Sequence, residues 1–240
     1  MTLGGRKIVK LPHGYVSNGT CSDEVEIRAM LGIEEEILSD DKLPMAQRIH
    51  EMISNCLIRV GTETDKAKIK AMLPKMSTED QMVLMVALRA ISVSDTYSIE
   101  TECTSCEAPI KLDLSLSSLG VRPAQVKGST LDVTLPSGRT AKIRPMTIED
   151  SLKTAEMRLQ GESRLSTAIL VRLTELDGKA PTLEDVKNLL YGDRVALRNK
   201  FDDMEGGIEN EFPVKCPTCK KVFKDTLDIV RAEFFSPKVM

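Results

Sequence analysis

Two cysteine pairs of identical spacing, Cys103-Thr-Ser-Cys106 and Cys216-Pro-Thr-Cys219, are the residues of this chain best suited to chemistry. A CxxC turn aims two sulfurs at one centre, but two sulfurs are only half of a tetrahedral structural zinc site, and the second turn completes it. Four thiolates also suit iron or an iron-sulfur cluster. Zinc is preferred because nothing in the chain suggests an electron-transfer partner or a substrate site. A thioredoxin-like dithiol fits poorly, since both pairs precede strand-like runs whereas that chemistry wants its first thiol at a helix N-terminus. The expectation is one structural Zn2+ held by Cys103, Cys106, Cys216 and Cys219, with ligation favouring the folded state because the unfolded chain cannot match it.

The other reactive residue types offer little. Cys56 lies on an apolar helical stripe and reads as a core thiol, and Cys21 sits in a polar loop with no histidine near it. There are two histidines, His13 in a turn and His50 on a helix, each expected to be solvated or hydrogen-bonded. A catalytic triad would have to recruit one of them from an unpromising position. The glycines of Met204-Glu-Gly-Gly207 lack the Lys-Ser or Lys-Thr of a phosphate loop. The reading is of a protein that is not an enzyme.

The elements that must bring the cysteines together recur along the chain. Leu11-Pro-His-Gly14 returns as Leu135-Pro-Ser-Gly138, and Glu26-Ile-Arg-Ala-Met30 as Lys142-Ile-Arg-Pro-Met146. Asp80 and Asp193 precede the first cysteine of their pairs by the same interval, and the apolar runs Ile110–Leu114 and Val222–Leu227 follow the pairs. Ordered landmarks at similar intervals argue for an internal duplication, with one half over 1–120 and the other over 121–240. Within the halves, Ile8–Leu11 and Val25–Ile27 read as paired strands, and Leu131–Leu135 with Thr140–Arg144 as a hairpin. Helices are predicted over Pro44–Arg59, Asp65–Leu73, Gln81–Ala90, Ser163–Leu176 and Asp193–Phe201, with capping threonines at Thr147 and Thr182. The fold class is α+β, mainly helical with two β-hairpins, its two hairpin-helices-CxxC units joined at the four-cysteine metal site.

Composition removes several function classes. The 240 residues carry a formal net charge of −3, so no global field recruits nucleic acid. With no Trp, three Tyr and five Phe, the chain lacks stacking platforms for single strands, and its 12 Met make for an adaptable aliphatic core. No run is long enough to span a membrane, and the polar start does not resemble a signal peptide, which points to synthesis and assembly in a reducing cytoplasm. Paired CxxC turns there suit a metal better than disulfides. Residues 1–14 hold Arg6, Lys7 and Lys10 without an acid, the composition of an arm reaching a neighbouring subunit or of an ordinary solvated terminus. Phe234 and Phe235, near the other end, are expected to anchor the tail in an apolar groove of a partner.

The hairpin Leu135-Pro-Ser-Gly138 with Ile143-Arg-Pro-Met-Thr147, the segments Leu165-Ser-Thr-Ala-Ile169 and Leu197-Arg-Asn-Lys-Phe201, then Met204-Glu-Gly-Gly207 and Cys216-Pro-Thr-Cys219, together resemble the baseplate protein family of contractile-tailed, T-even-type bacteriophages, its hub or assembly components. The resemblance covers nearly the whole chain. It implies a structural component of the virion tail baseplate that joins hub or wedge proteins by protein-protein contacts, with other tail proteins and copies of itself as partners. The alternative it leaves open is a soluble tail or baseplate assembly chaperone absent from the mature virion.

Overall fold

Alternating apolar residues at the start of the chain build a sheet before any helix forms. β1 (Arg6–Ser17) pairs antiparallel with β2 (Thr20–Arg28), Val9 opposite Val25, and both of these side chains turn inward. α1 (Gly32–Ser39) and α2 (Met45–Cys56) come next, and β3 (Leu57–Val60) then returns along β2. α3 (Lys66–Met72) runs into a 3-10 turn at Leu73–Lys75. The Ser77 hydroxyl, accepting from the Asp80 N–H, starts α4 (Thr78–Ser92), which is buried along nearly its whole length. A ribbon of β4 (Thr96–Glu102) and β5 (Pro109–Ser115) carries the first CxxC turn, and β6 (Val121–Arg122) comes after it. The computed structural model describes residues 5–17, 20–126, 130–229 and 234–235.

A similar order of elements follows, except that β6 comes after the first CxxC ribbon whereas the short strand of this run comes before the second. β7 (Leu131–Thr134) and β8 (Thr140–Ile143) form a hairpin, succeeded by α5 (Ile148–Leu159), α6 (Arg164–Leu170) and β9 (Leu173–Leu176), which pairs with β8. α7 (Leu183–Lys187), α8 (Tyr191–Met204) and β10 (Gly207–Ile208) lead to the ribbon of β11 (Glu211–Lys215) and β12 (Val222–Thr226) around the second CxxC turn. Register agrees in detail. β3 sets Val60 against Val25 and Leu57 against Ile27 across a bulge, and β9 sets Leu176 against Ala141 and Leu173 against Ile143 across a bulge at the corresponding place.

Two cores result. One gathers α2, α3, α4 and the β1–β2–β3 sheet, and also takes Phe212 and Val214 from the last ribbon and Leu227 and Ile229 just after it. The other lies between the β7–β8–β9 sheet and α6, α7 and α8. Backbone stitches join them: Thr78 N–H donates to the Met146 carbonyl and Ile148 N–H to that of Met76, both at 3.0 Å, while β10 pairs with β6.

Several expectations change on contact with the structure. The chain is α+β as expected, but the described residues form four hairpins rather than two. The helices predicted over Pro44–Arg59 and Ser163–Leu176 end at Cys56 and Leu170, and each gives way to a strand, β3 and β9 respectively. Each strand is four apolar-rich residues with no Gly or Pro in front, so helical periodicity reads straight through until sheet pairing decides otherwise. Residues 6–17 are the first strand of a sheet and not a loose arm, held by burial of Val9 and Leu11. Phe234 and Phe235 are buried in the chain's own core, with the Phe234 ring 5.2 Å from Tyr97 and its carbonyl accepting from Arg89, so the groove they fill belongs to this chain. Residues 1–4, 230–233 and 236–240 of the expected termini lie outside the described residues.

Candidate metal centre

Each cysteine pair sits at the tip of a two-stranded ribbon whose backbone is folded to the same plan. In the first, Cys103 N–H donates to the Ala108 carbonyl and Glu107 N–H to that of Cys103. In the second, Cys216 N–H donates to Lys221 and Lys220 N–H to Cys216. Glu107 and Lys220 close the turns in the left-handed region, at φ 57° and 64°. This leaves backbone donors aimed at sulfur: Ser105 N–H stands 3.4 Å from Cys103 Sγ and Cys219 N–H 3.5 Å from Cys216 Sγ.

The two tips meet. Cys103 Sγ lies 3.6 Å from Cys219 Sγ, Cys106 Sγ lies 3.7 Å from Cys216 Sγ, and all four sulfurs fall within 4.8 Å of one another. These separations are far too long for disulfides. A tetrahedron with Zn–S bonds of about 2.3 Å has sulfurs about 3.8 Å apart, so the cluster is suited to hold a metal ion of that size. Cys103 and Cys216 are buried and Cys106 and Cys219 face solvent, which closes one side of the site and leaves an entry on the other.

Electrostatics agree with a thiolate site. The Cys219 backbone donor, joined by that of Thr218, holds the Cys216 thiol down at about 6, and the Cys106 and Ser105 backbone donors lower Cys103. For Cys106, the Ala108 backbone donor is outweighed by the neighbouring sulfurs, which push the thiol up to about 11. Crowding of like charge is what a divalent cation relieves. Neither turn lies at a helix N-terminus, which removes the geometric basis for dithiol redox chemistry.

The remaining cysteines and histidines separate cleanly. Cys56 is buried and desolvation pushes its thiol up to about 12, as suits a core residue. Cys21 is exposed, its Sγ 3.6 Å from the His13 carbonyl. His13 differs from expectation: its ring is buried, with Nε2 3.8 Å from Glu79 Oε2 and the Val126 backbone beside it, and among the described residues neither ring nitrogen makes a well-formed hydrogen bond. Burial lowers the His13 pKa and raises those of Glu79 and Glu205. Arg172 pairs with Glu205 at 2.6 Å and stacks over Phe201, and its charge reaches His13 and Glu79.

Two carboxylate roles escaped sequence reasoning, although both were visible as repeated letters. Asp80 accepts from the His13 and Gly14 N–H groups at 2.9 and 3.1 Å, tying α4 to β1, and Asp193 accepts from Ser137 N–H at 3.0 Å, tying α8 to the turn between β7 and β8. Arg28 pairs with the buried Glu34 and Arg144 with Asp150, in both cases tying the end of the second strand to the start of the next helix.

A protein-family model described as T4 bacteriophage base plate protein matches residues 8–235, and the chain belongs to that family. No curated protein and no solved structure matches it. Membership makes the protein a structural, non-enzymatic component of the phage tail baseplate, working through contacts with other tail and baseplate proteins. Among the described residues no helix is long and apolar enough to cross a membrane.

Proposed function

From membership of the T4 bacteriophage base plate protein family, we propose that this chain is a baseplate connector whose two halves, 1–120 and 121–240, arose by duplication and are clamped by one zinc ion. The single observation that carries the clamp is the convergence of Cys103, Cys106, Cys216 and Cys219 within 4.8 Å from turns more than a hundred residues apart. The duplication is supported by the recurrence of element order, strand register, CxxC turn geometry and the Asp80 and Asp193 tethers. The tetrahedral sulfur spacing suits zinc and iron alike, and zinc is favoured because the family role calls for no electron transfer. The clamp fixes the orientation of one half on the other, so that surfaces on both are presented to neighbouring tail proteins as one rigid unit. Of the outward-facing candidates, Arg6, Lys7 and Lys10 remain as the basic contact to an acidic neighbour.

Elemental analysis of protein purified without added metal tests the clamp. One zinc per chain, lost on Cys216→Ser, is the expected result, and stoichiometric iron or no metal refutes zinc. Mass spectrometry of purified mature particles tests the assembly role, with stoichiometric recovery expected.

A further inference from the structure

β1 is an edge strand, and among the described residues β2 is its one strand partner. Ala29 N–H donates to the Gly5 carbonyl, so by antiparallel alternation the backbone groups of Lys7 and Val9 face β2 and those of Arg6, Ile8 and Lys10 face outward. Further along, within the register break between Lys10 and Tyr15, the Pro12 carbonyl accepts from Ala124 N–H at 3.4 Å, just beyond β6. β1 and the β6 segment therefore touch at that end and are separated toward Arg6. Between them lies a recess of about 190 Å³, floored by Val83, Val86 and Ala87 of α4 and walled by Leu119, Val121 and Ile208. That is below the ~300 Å³ at which small-molecule pockets begin, and it suits side chains of a chain laid along the edge.

Two features of the lips are not what a merely terminated sheet requires. Ile8 and Val121 face each other across the recess at 60 % and 46 % exposure. Lys7 and Lys10 line one lip, with Arg6 next to them on β1, and the exposed Arg122 follows Val121 on β6 at the other. The acids within reach engage these cations loosely: Glu26 is 3.5 Å from Arg6 and Asp23 is 3.9 Å from Lys10, leaving the two cations 71 % and 75 % exposed, while Asp95 feels the charge of Lys7. Lysines alone can serve to blunt an edge, but blunting needs no apolar floor beneath it. Counting from Asp80 and Asp193, a comparison that rests on the duplication proposed above, Val83, Val86 and Ala87 fall opposite Ala196, Asn199 and Lys200, whereas the core-facing Leu84 and Leu88 fall opposite Leu197 and Phe201. The core face is kept and the recess face is apolar in one half only.

We propose that the outward edge of β1 is a docking groove for an extended, acidic segment of another baseplate protein, which adds as a strand between β1 and β6 with apolar side chains in the recess and carboxylates toward Arg6, Lys7, Lys10 and Arg122. Backbone pairing supplies affinity in such an addition, and the alternating side chains supply selectivity. The test uses the full-length, zinc-loaded protein and a fluorescein-labelled octapeptide of alternating valine and glutamate. Ile8→Pro removes an outward N–H without touching the β1–β2 ladder, and is the substitution an edge strand tolerates. Loss of peptide affinity by about tenfold or more is expected for Ile8→Pro and for the double reversal Arg6→Glu with Lys10→Glu, with zinc content and circular dichroism unchanged. The double reversal keeps the test decisive if the proline variant misfolds. Affinity unchanged in the folded variants overturns the proposal, as does self-association that Ile8→Pro abolishes, which would assign the edge to a second copy. In mature particles a photo-crosslinking residue at position 8 should capture a different tail protein. Its failure in a particle that contains the protein overturns the groove, whereas absence of the protein from the particle overturns the baseplate reading instead.

Discussion

Asp80 offers the sharpest test of the internal architecture, because burial and hydrogen bonding act on it in opposite directions. Its carboxylate accepts from the His13 and Gly14 N–H groups and so ties α4 to the first hairpin, yet it is fully buried with Glu79 beside it. Desolvation dominates, the His13 and Gly14 donors oppose it, and the group is raised from 3.8 to about 7. A folded-state pKa above the unfolded value means that the folded protein holds this proton more tightly. The corresponding stability is fully present below about pH 3.8 and is lost as pH rises through about 7. At about 1.36 kcal/mol per pH unit the shift amounts to about 4 kcal/mol. Asp80→Asn keeps the shape and one acceptor and cannot ionise, but turns an amide N–H2 toward one of the backbone donors, a mismatch costing about 1–3 kcal/mol at every pH. Urea unfolding of both proteins from about pH 4 to about pH 8 isolates Asp80, because His13, Glu79, Glu205 and the thiolates are common to both and largely cancel in the difference. The wild-type advantage should shrink or reverse by about 4 kcal/mol across that range. An advantage that stays constant or grows with pH would show that the two backbone donors outweigh desolvation, and the reasoning would fail.

The same kinds of contact carry other consequences. Cys216→Ser should reduce bound zinc and speed amide exchange at Cys103–Glu107 as well as at its own turn, since one shared ion couples both tips; slowing or no change at the first turn would separate the two pairs. Glu34→Gln leaves Arg28 facing a neutral partner beside a buried amide and should cost about 2–4 kcal/mol in thermal or urea unfolding, after allowance for the partial exposure of Arg28; a loss under about 1 kcal/mol would make the pair incidental. Burial pushes the Glu34 carboxyl up, but Arg28 and the Leu31 N–H together outweigh it and hold the group below its ordinary value, so its contribution is present at neutral pH and lost as pH falls through its lowered pKa. Gly206→Ala would set a Cβ 2.6 Å from both the Ala124 nitrogen and the Arg122 carbonyl, backbone atoms that cannot yield cheaply. It should therefore cost about 1–3 kcal/mol and loosen the β6–β10 pairing seen by amide exchange.

Local chemistry written in adjacent letters was legible from the sequence alone. The CxxC spacing picked out the four cysteines of the cluster, Thr147 and Thr182 announced their capping boxes, and alternation placed the two main hairpins, because each depends on contacts within a few residues. The fates of Leu57–Val60 and Leu173–Leu176 were not legible, since a tetrapeptide with apolar ends after a helix suits helix or strand equally and only the open edge of β2 or β8 selects the strand. Nor was the fate of Phe234 and Phe235: whether an apolar pair near a terminus seeks a partner or its own chain depends on whether Tyr97 and α4 leave a hollow for it. Residue types and spacings determined which side chains could bind a metal and that the chain's landmarks recur in order. Tertiary structure alone decided that the second ribbon packs on the first core, that the four sulfurs meet, and that β1 keeps a free edge, because each is a relation between segments separated by about a hundred residues or set by packing that no local pattern encodes.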